Sequence, residues 1–273
     1  ANWGASNPVL TADERLYIAN FSIYGNRSYQ TSGVQLGGVR LATKMSNYTN
    51  VDAYSYMRNV TVQQFLGHGI YIKGDIPILI NRESADVWLH QRQFLLQFAA
   101  GAPPDMYSKT GQKWGFPIYN WDVMEFEQYQ WWISRLKTAD ELYHLYRLDH
   151  LVGFYRIWAF PLNRPPTEAH FIPRDPTAWI SQGEKIMRMM LSNSNMLPIA
   201  EDLGVVPPEV RRNLLSLGIC GTKVMRWERL WDFDKSFILP HNYPPESMTT
   251  VSTHDSETLI QWWKNNPEEA MEY

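Results

Sequence analysis

Four short apolar segments of this chain are each followed directly by a carboxylate. Asp75 comes after Ile-Lys-Gly, Asp149 after Tyr-Arg-Leu, Glu201 after Pro-Ile-Ala and Asp255 after Val-Ser-Thr-His. The segments alternate with helical patterns, and repeated βα units predict a parallel sheet that is covered on both faces. Because the carboxyl ends of parallel strands lie at one edge, we expect the four acids to converge there, where a (β/α)8 barrel forms its active site.

Apolar runs bounded by turn residues predict five strands, and helical periodicity occupies the stretches between them. The predicted strands cover residues 69–80, 146–154, 196–200, 222–227 and 248–253. The predicted helices cover residues 84–98, 122–143 (with Phe126, Ile133, Leu136 and Leu142 near one face), 177–192 and 209–217, and helical sequence resumes at 257. The fold class is therefore α/β, either a doubly wound sheet or a (β/α)8 TIM-type barrel that is apparently incomplete. No glycine-rich nucleotide-binding motif follows a strand, which favours the barrel.

The sequence changes character near residue 60. Residues 1–59 are rich in Ser, Asn, Gly and Tyr, and they predict an irregular N-terminal segment with short β elements and no assigned role. Residues 60–273 contain the βα units and predict a partial barrel that forms the catalytic domain. Within it, residues 101–121 form a loop dense in Gly and Pro, and an irregular proline-rich connection follows the second predicted strand.

Charge and cysteine content narrow the partners and the compartment. The net charge of -3 provides no basic field, so neither nucleic acid nor an anionic membrane is an expected partner. No run approaches 18 apolar residues, and no signal peptide is visible. Cys220 is the only cysteine, which excludes an intrachain disulfide and favours a reducing, cytoplasmic location. Aromatic residues make up 14 % of the chain, and flat aromatic rings are useful for stacking on sugars.

Two carboxylates that face each other across a glycosidic bond are what glycoside chemistry requires. One attacks the sugar or activates water, and the other is held protonated so that it can donate to the leaving oxygen. Asp149 and Glu201 are candidates for this pair on spacing alone. Any single acid at a strand end could instead cap a helix or pair with an arginine. That simpler explanation weakens for three acids on successive parallel strands.

Six motifs occur in order between about Gly69 and Leu259, and together they resemble a known family. They are Arg147-Leu-Asp149-His150, Ala200-Glu201-Asp202-Leu203-Gly204, Thr253-His254-Asp255, Gly74-Asp75-Ile-Pro-Ile78, Pro240-His-Asn-Tyr-Pro244, and the loop motif Gly101-Ala-Pro-Pro-Asp105 with Gly111-Gln-Lys-Trp-Gly115 and Pro117. In order and spacing they resemble the signatures of 4-α-glucanotransferases (amylomaltase or disproportionating enzyme, glycoside hydrolase family 77). The resemblance implies transfer of an α-1,4-glucan segment from a donor maltooligosaccharide to the 4-hydroxyl of an acceptor glucan or glucose.

The resemblance also assigns roles to individual residues. Asp149 would be the nucleophile and Glu201 the acid/base of a retaining mechanism. Asp255, the third carboxylate, would hold the 2- and 3-hydroxyls of the reacting glucose. Arg147 lies two residues before Asp149 on the same strand face, where its guanidinium can keep the nucleophile ionised. The remaining substrate-binding candidates are His150, His254, Asp75 and, on the loop, Asp105, Tyr107 and Trp114.

Neither a metal nor a cofactor is expected, because the mechanism demands none and the histidines lack a ligand spacing such as H-E-x-x-H. The expected start of the family's barrel is not recognisable before Gly69, and an eighth strand has no room after Tyr273, so completion by another chain is one expectation. Two other functions stay open: an α-amylase-type hydrolase with the same three carboxylates, and a non-catalytic glucan-binding fragment. The form of the 101–121 loop favours the transferase over the hydrolase.

Overall fold

The computed structural model describes the chain except residues 1–9, 13–16, 25–38, 43–55, 64–69, 105–108, 110 and 232. Side chains are described from Ile72 onward, with the same exceptions, and only the backbone of the earlier strands is described.

The described residues form fifteen strands and eight α-helices. The strands are β1 (Leu10–Ala12), β2 (Tyr17–Tyr24), β3 (Val39–Ala42), β4 (Tyr56–Gln63), β5 (Ile70–Ile76), β6 (Phe94–Leu95), β7 (Phe98–Ala102), β8 (Gln112–Lys113), β9 (Ile118–Tyr119), β10 (Leu145–Leu148), β11 (Ile157–Pro161), β12 (His170–Ile172), β13 (Leu197–Ala200), β14 (Gly221–Val224) and β15 (Ser247–Thr250). The helices are α1 (Ala85–Leu89), α2 (Trp121–Phe126), α3 (Gln130–Asp140), α4 (Val152–Tyr155), α5 (Thr177–Ser192), α6 (Pro208–Ser216), α7 (Leu259–Asn265) and α8 (Pro267–Glu272).

The main sheet is parallel, with the strand order β1-β3-β5-β10-β13. A parallel bridge between Ile199 and Cys220 continues it toward β14, which pairs in parallel with β15. An antiparallel sheet in the order β12-β11-β7-β8 lies outside this series, and β2–β4 and β6–β9 form separate pairs. The predicted α/β class with parallel strands is confirmed.

The parallel sheet curves strongly from β5 to β15. Lys73 on β5 and Met248 on β15 lie four strand positions apart, which in a flat sheet is roughly 19 Å at about 4.8 Å per strand. In the structure the Lys73 ammonium nitrogen lies 3.7 Å from the Met248 sulfur. Leu145, Ile199 and Met248 form a small buried cluster. Side chains of β5, β10, β13 and β15 therefore meet on the inner face of a curved sheet.

The opposite face of the sheet belongs to the large core. Tyr146 and Leu148 are fully buried there and share one apolar cluster with Leu136 of α3 and Ile186 and Met190 of α5. In the part of the chain that the structure describes, each helix is too short or too polar to cross a bilayer.

The prediction for α5 is confirmed at both ends, and the predictions for β13, α6 and β15 are confirmed to within three residues. The strand predicted at 146–154 ends at Leu148, and residues 152–155 form α4 instead. The strand predicted at 222–227 likewise ends at Val224, where a 3-10 turn follows. In each case the turn begins where the chain leaves the sheet edge.

The helix predicted over 84–98 was wrong after Leu89. Ser84 caps α1 by accepting from the Val87 N–H at 3.2 Å, and a short 3-10 turn follows. Phe94 and Leu95 then pair with β9, and β7 begins at Phe98. Pairing between strands overrides the local apolar spacing, which short segments cannot distinguish from a helix.

The helix predicted over 122–143 was also wrong as a single element, because Gln128 and Tyr129 adopt left-handed backbone conformations with φ of 55° and 54°. These residues separate α2 from α3. The predicted apolar face was confirmed at Leu136, which is buried, and was wrong at Phe126 and Leu142, which are exposed; the other buried residues of α3 are Trp132 and Ala139.

Two regions predicted as loops contain strands. The proline-rich connection after β10 carries β11 and β12, and the 101–121 loop carries β8 and β9. The count of five parallel strands was too low, because β1 and β3 precede β5 in the same sheet. The division of the chain at residue 59 stays a prediction.

Candidate active site

Asp75 and Arg147 are direct neighbours in the sheet. They occupy opposed positions of β5 and β10, and the Arg147 Nη1 donates to Asp75 Oδ1 at 2.9 Å and to Oδ2 at 3.0 Å. Both side chains are buried. Gly74 is required beside this pair, because any Cβ there would collide with the ring of Tyr143. Asp75 therefore fixes one edge of the guanidinium.

The other edge of the guanidinium holds two more carboxylates. The Arg147 Nη2 lies 2.9 Å from Asp149 Oδ1 and 2.9 Å from Glu201 Oε2. The predicted pairing of Arg147 with Asp149 is therefore present, and the structure adds Glu201 to it. One arginine bridges the ends of three parallel strands, as the strand-end pattern predicts.

These contacts limit the separation between Asp149 and Glu201. Because Asp149 Oδ1 and Glu201 Oε2 share one nitrogen, they can be no farther apart than twice 2.9 Å. The two carboxyl groups lie about 5–5.5 Å apart in retaining glycosidases and about 6.5–9.5 Å apart in inverting ones. This limit on one pair of oxygens is compatible with the closer, retaining spacing.

A left-handed turn after β10 shapes the site. His150 has a φ of 41°, which is unusual for a residue with a side chain, and its N–H donates to Glu201 Oε2 at 2.7 Å. The Ile78 N–H donates to Asp149 Oδ2 at 3.3 Å. Backbone donors thus hold one oxygen of each carboxylate in addition to Arg147.

Burial changes the acidity of this cluster. Burial and, to a smaller extent, the charge of Asp149 together raise the pKa of Glu201 to about 7, against the opposing effects of Arg147 and the His150 N–H. Burial also raises the pKa of Asp75, although Arg147 opposes the shift. Glu201 is therefore partly protonated near neutral pH, as a general acid needs to be.

His150 and Trp114 meet at the edge of the cluster. Their rings are perpendicular, with centroids 4.9 Å apart, and the Trp114 indole N–H donates to Gln112 Oε1 at 3.2 Å. Burial lowers the pKa of His150 to about 4, so the imidazole is neutral at physiological pH. Trp114 thus lies against His150, the residue directly after Asp149. Asp105 and Tyr107 lie outside the described residues.

Asp255 occupies a different environment. It lies on the turn between β15 and α7, its side chain is 64 % exposed, and its Oδ2 lies 3.0 Å from His254 Nε2. His254 lies close enough to Asp75 for its charge to lower the pKa of that carboxyl. Within the described residues, the hydrogen bonds of the Arg147 cluster do not extend to Asp255.

One buried acid beside the site was not singled out from the sequence. Asp202 Oδ1 accepts from the Thr222 N–H at 2.8 Å, and its Oδ2 lies 3.2 Å from Arg211 Nε. Asp202 thus joins the end of β13 to β14 and α6. The signal in the sequence was the adjacent pair of acids at 201 and 202. Across the described residues, no three His, Cys, Asp or Glu side chains come together as metal ligands would, and the absence of a metal stays a prediction.

A half-buried carboxylate pair with one member partly protonated near neutral pH, at the carboxyl ends of parallel strands, is the arrangement that enzymes acting on glycosidic bonds use. Comparison with known proteins agrees with this class. The family model described as 4-alpha-glucanotransferase matches residues 43–273. The chain therefore belongs to the 4-alpha-glucanotransferase family, as its motifs predicted.

Individual relatives give the extent of the similarity. A 4-alpha-glucanotransferase of Chlamydia pneumoniae is 44 % identical over 227 residues, covering 81 % of this chain and 43 % of that protein. One of Chlamydia caviae is 38 % identical over 281 residues, covering 97 % and 52 %. The structure of amylomaltase from Streptococcus agalactiae in complex with acarbose superimposes with a TM-score of 0.64 at 30 % identity, covering 75 % of this chain and 42 % of that one.

The chain spans about half the length of the curated relatives it matches. Because the similarity to the Chlamydia caviae protein covers 97 % of the chain, it includes most of residues 1–59. That segment, to which the sequence alone assigned no role, has a counterpart in a 4-alpha-glucanotransferase.

Proposed function

We propose that this chain carries the catalytic carboxylates of a 4-α-glucanotransferase, which transfers an α-1,4-glucan segment from a donor maltooligosaccharide to the 4-hydroxyl of an acceptor glucan or glucose. The observation that carries the proposal is the single Arg147 nitrogen that lies 2.9 Å from both Asp149 and Glu201. The family supports the substrate class, and the distance limit between the two oxygens supports retention of configuration.

In the first step, Asp149 attacks the anomeric carbon while Glu201 gives its proton to the departing glycosidic oxygen. The donor's reducing-end fragment leaves with that proton, and the glucan segment remains bonded to Asp149. In the second step, Glu201 takes the proton of the acceptor 4-hydroxyl, whose oxygen attacks the same carbon and releases Asp149. The raised pKa of Glu201, about 7, suits both the donation and the return of the proton.

The other site residues act on the sugar around this pair. Asp255 and His254 hold hydroxyls of the reacting glucose and favour its distorted ring. His150 is a further partner for sugar hydroxyls, and Asp105, Tyr107 and Trp114 on the 101–121 loop grip the glucan and keep water away from the glucosyl intermediate. Asp75, expected from the sequence to bind substrate, acts through Arg147, because both of its oxygens accept from that guanidinium.

The fold that carries this chemistry is proposed to be a (β/α)8-type barrel. The contact between Lys73 of β5 and Met248 of β15 supports closure, because these strands would be far apart in an open sheet. Completion of the barrel by another chain, the absence of nucleic-acid and membrane partners and a cytoplasmic location remain parts of the proposal that rest on the sequence.

The proposal is tested by incubating the purified protein with maltotriose and following glucose and longer maltooligosaccharides, beside an Asp149→Asn control. Transfer gives glucose together with longer chains, and the control gives neither. Glucose and maltose without longer chains would indicate the hydrolase. Binding of acarbose or maltooligosaccharide by well-folded protein, without any change in chain length, would indicate the glucan-binding fragment and overturn the proposal.

A further inference from the structure

The turn that carries His254 and Asp255 is shaped by its own hydrogen bonds. The Thr253 N–H donates to Ser256 Oγ at 2.9 Å, the Ser256 N–H donates to the Thr253 carbonyl at 3.2 Å, and the Asp255 N–H donates to Thr253 Oγ1 at 3.3 Å. These bonds join residues within the turn. They fix its shape but do not determine where it stands relative to the parallel strands.

A contact from β14 supplies that missing constraint. Arg226 lies just beyond β14, and its Nη1 lies 3.2 Å from Glu257 Oε1 while its Nη2 donates to the Glu257 carbonyl at 3.1 Å. Arg226 therefore holds both the side chain and the backbone of a residue two positions after Asp255. We refer to Arg226 and Glu257 together as the Arg226 clamp.

The clamp is also tied to the helix that follows the turn. Glu257 Oε2 accepts from the Asn265 side-chain amide at 3.3 Å, and Oε1 accepts from that of Asn266 at 3.3 Å. The Arg226 side chain is only 5 % exposed. A guanidinium with so little access to water depends on protein acceptors, and Glu257 supplies one to each of its two terminal nitrogens, whereas its Nε has no hydrogen-bond partner among the described residues. The turn is thereby locked between β14 and the end of α7.

We propose that Arg226 is a positioning residue for Asp255: by holding Glu257 it sets the place of the third carboxylate relative to Asp149 and Glu201. The kinetic part of this inference rests on the proposed function, whereas the structural part does not. Arg226 touches neither the carboxylate cluster nor Asp255 directly. Loss of Arg226 should therefore make the turn less ordered, and it should affect the rest of the site only through the turn.

Arg229 offers a matched control. Its side chain is similarly buried, at 9 % exposure, and it pairs with two acids, Glu269 at 2.8 Å and Glu272 at 3.2 Å. Both acids belong to α8, not to the turn. Arg229→Met thus removes a comparable arginine from the same part of the chain without removing a contact to residues 251–258.

The deciding experiment is hydrogen–deuterium exchange, measured by mass spectrometry on the wild-type chain and on Arg226→Met and Arg229→Met. Arg226→Met should speed exchange in a peptide covering 251–258 by about tenfold or more, since local opening becomes easier when its contacts are lost. Arg229→Met should speed exchange near α8 and leave 251–258 unchanged. Unchanged exchange of 251–258 in Arg226→Met overturns the proposal, whatever the activity of the chain.

Transfer kinetics test whether the clamp acts through Asp255. Arg226→Met should lower kcat on maltotriose by about tenfold with little change in KM, and Arg226→Lys, which keeps the charge but not the two-pronged contact, should recover part of it. In an Asp255→Asn background the further loss should fall to about twofold or less, because coupled residues are not additive. Equal losses in both backgrounds would assign Arg226 a structural role only. Absence of transfer in the wild type would count against the proposed function and leave the exchange result to judge the clamp.

Discussion

The carboxylates of this site are held in two contrasting ways. Asp75, Asp149 and Glu201 stand at the ends of neighbouring strands and share one buried arginine, so the register of the sheet sets their positions. Asp255 stands on an exposed turn whose contacts are its own residues, His254 and the Arg226 clamp. The first group is built into the sheet, and the second depends on a turn that the Arg226 clamp holds in place.

This contrast indicates which carboxylates the proposed reaction needs to be held rigidly. In the proposed reaction, Asp149 and Glu201 must stay at bonding distance from opposite faces of one bond, and strand ends provide that rigidity. In the same proposal Asp255 binds hydroxyls of the reacting glucose, and its position depends on the turn and on the Arg226 clamp instead of on strand pairing. Substitutions in the Arg147 cluster should therefore be more damaging than substitutions at its edge.

Arg147→Met should be the most damaging single change, because it leaves three carboxylates clustered without their common cation. We expect a loss of about 3–5 kcal/mol in the free energy of unfolding at pH 8, with no measurable transfer. The loss should be smaller at pH 5, where the carboxyls can protonate. Urea denaturation at the two pH values measures both effects, and Arg147→Lys provides a milder variant if the Met variant does not fold. A Met or Lys variant as stable as wild type at pH 8 would show that the cluster does not need its arginine.

Glu201→Gln should make stability less sensitive to pH. The pKa of Glu201 rises from 4.5 to about 7 on folding, so its contribution to stability is present below about pH 4.5 and is lost as pH rises through about 7. Between pH 5 and 8 wild type should lose about 2–3 kcal/mol that the Gln variant does not lose. Parallel pH profiles for wild type and Glu201→Gln would contradict the prediction.

The pH dependence of transfer should report Glu201 as well. The first step needs its protonated form, so kcat/KM for maltotriose should fall about tenfold per pH unit above about 7. Initial rates between pH 5 and 9 measure this limb. Asp255→Asn should lower the rate at every pH without moving the limb, since Asp255 is not the proton donor. A limb that moves with the Asp255 substitution would place the donor in the turn.

Trp114→Leu should have the smallest effect. The edge-on contact with His150 contributes about 0.5–1.5 kcal/mol, and its loss admits water to the imidazole. The pKa of His150 should therefore rise from about 4 toward its ordinary value near 6.5, which NMR titration of the imidazole protons can follow. Trp88→Leu, at a highly exposed tryptophan, should leave the His150 titration unchanged. A Trp114 variant with an unchanged titration would show that other groups bury the ring.

The strand-end acids and α5 could be predicted from the sequence because their signals are local. An apolar run followed by an acid predicts where a strand ends, and the two-residue spacing of Arg147 and Asp149 predicts that they share a face. The contacts of Arg147 with Asp75 and Glu201 could not be derived in this way. Asp75 and Glu201 are 72 and 54 residues away from Arg147 in the chain. Their contacts with Arg147 depend on the pairing of β10 with β5 and β13, which is set by tertiary packing.

The errors have the same origin. Residues 94–98 were predicted as the end of a helix from their apolar spacing, but they form β6 and the start of β7 because β9 and β11 pair with these strands. The break at Gln128 and Tyr129 has no glycine or proline to announce it. Arg226 and Glu257 carried no motif, and their relation is visible only once β14 and the turn before α7 are next to each other.

The shared arginine also bears on how such a site persists through evolution. Arg147 brings one positive charge to three acids, and the charge of Asp149 raises the pKa of both Asp75 and Glu201. A protein selected for stability alone would replace one acid with a neutral residue of similar shape. In the proposed reaction, the surplus of negative charge complements a sugar ring that becomes cationic as its bond breaks, so the reacting sugar supplies the positive charge that the cluster lacks.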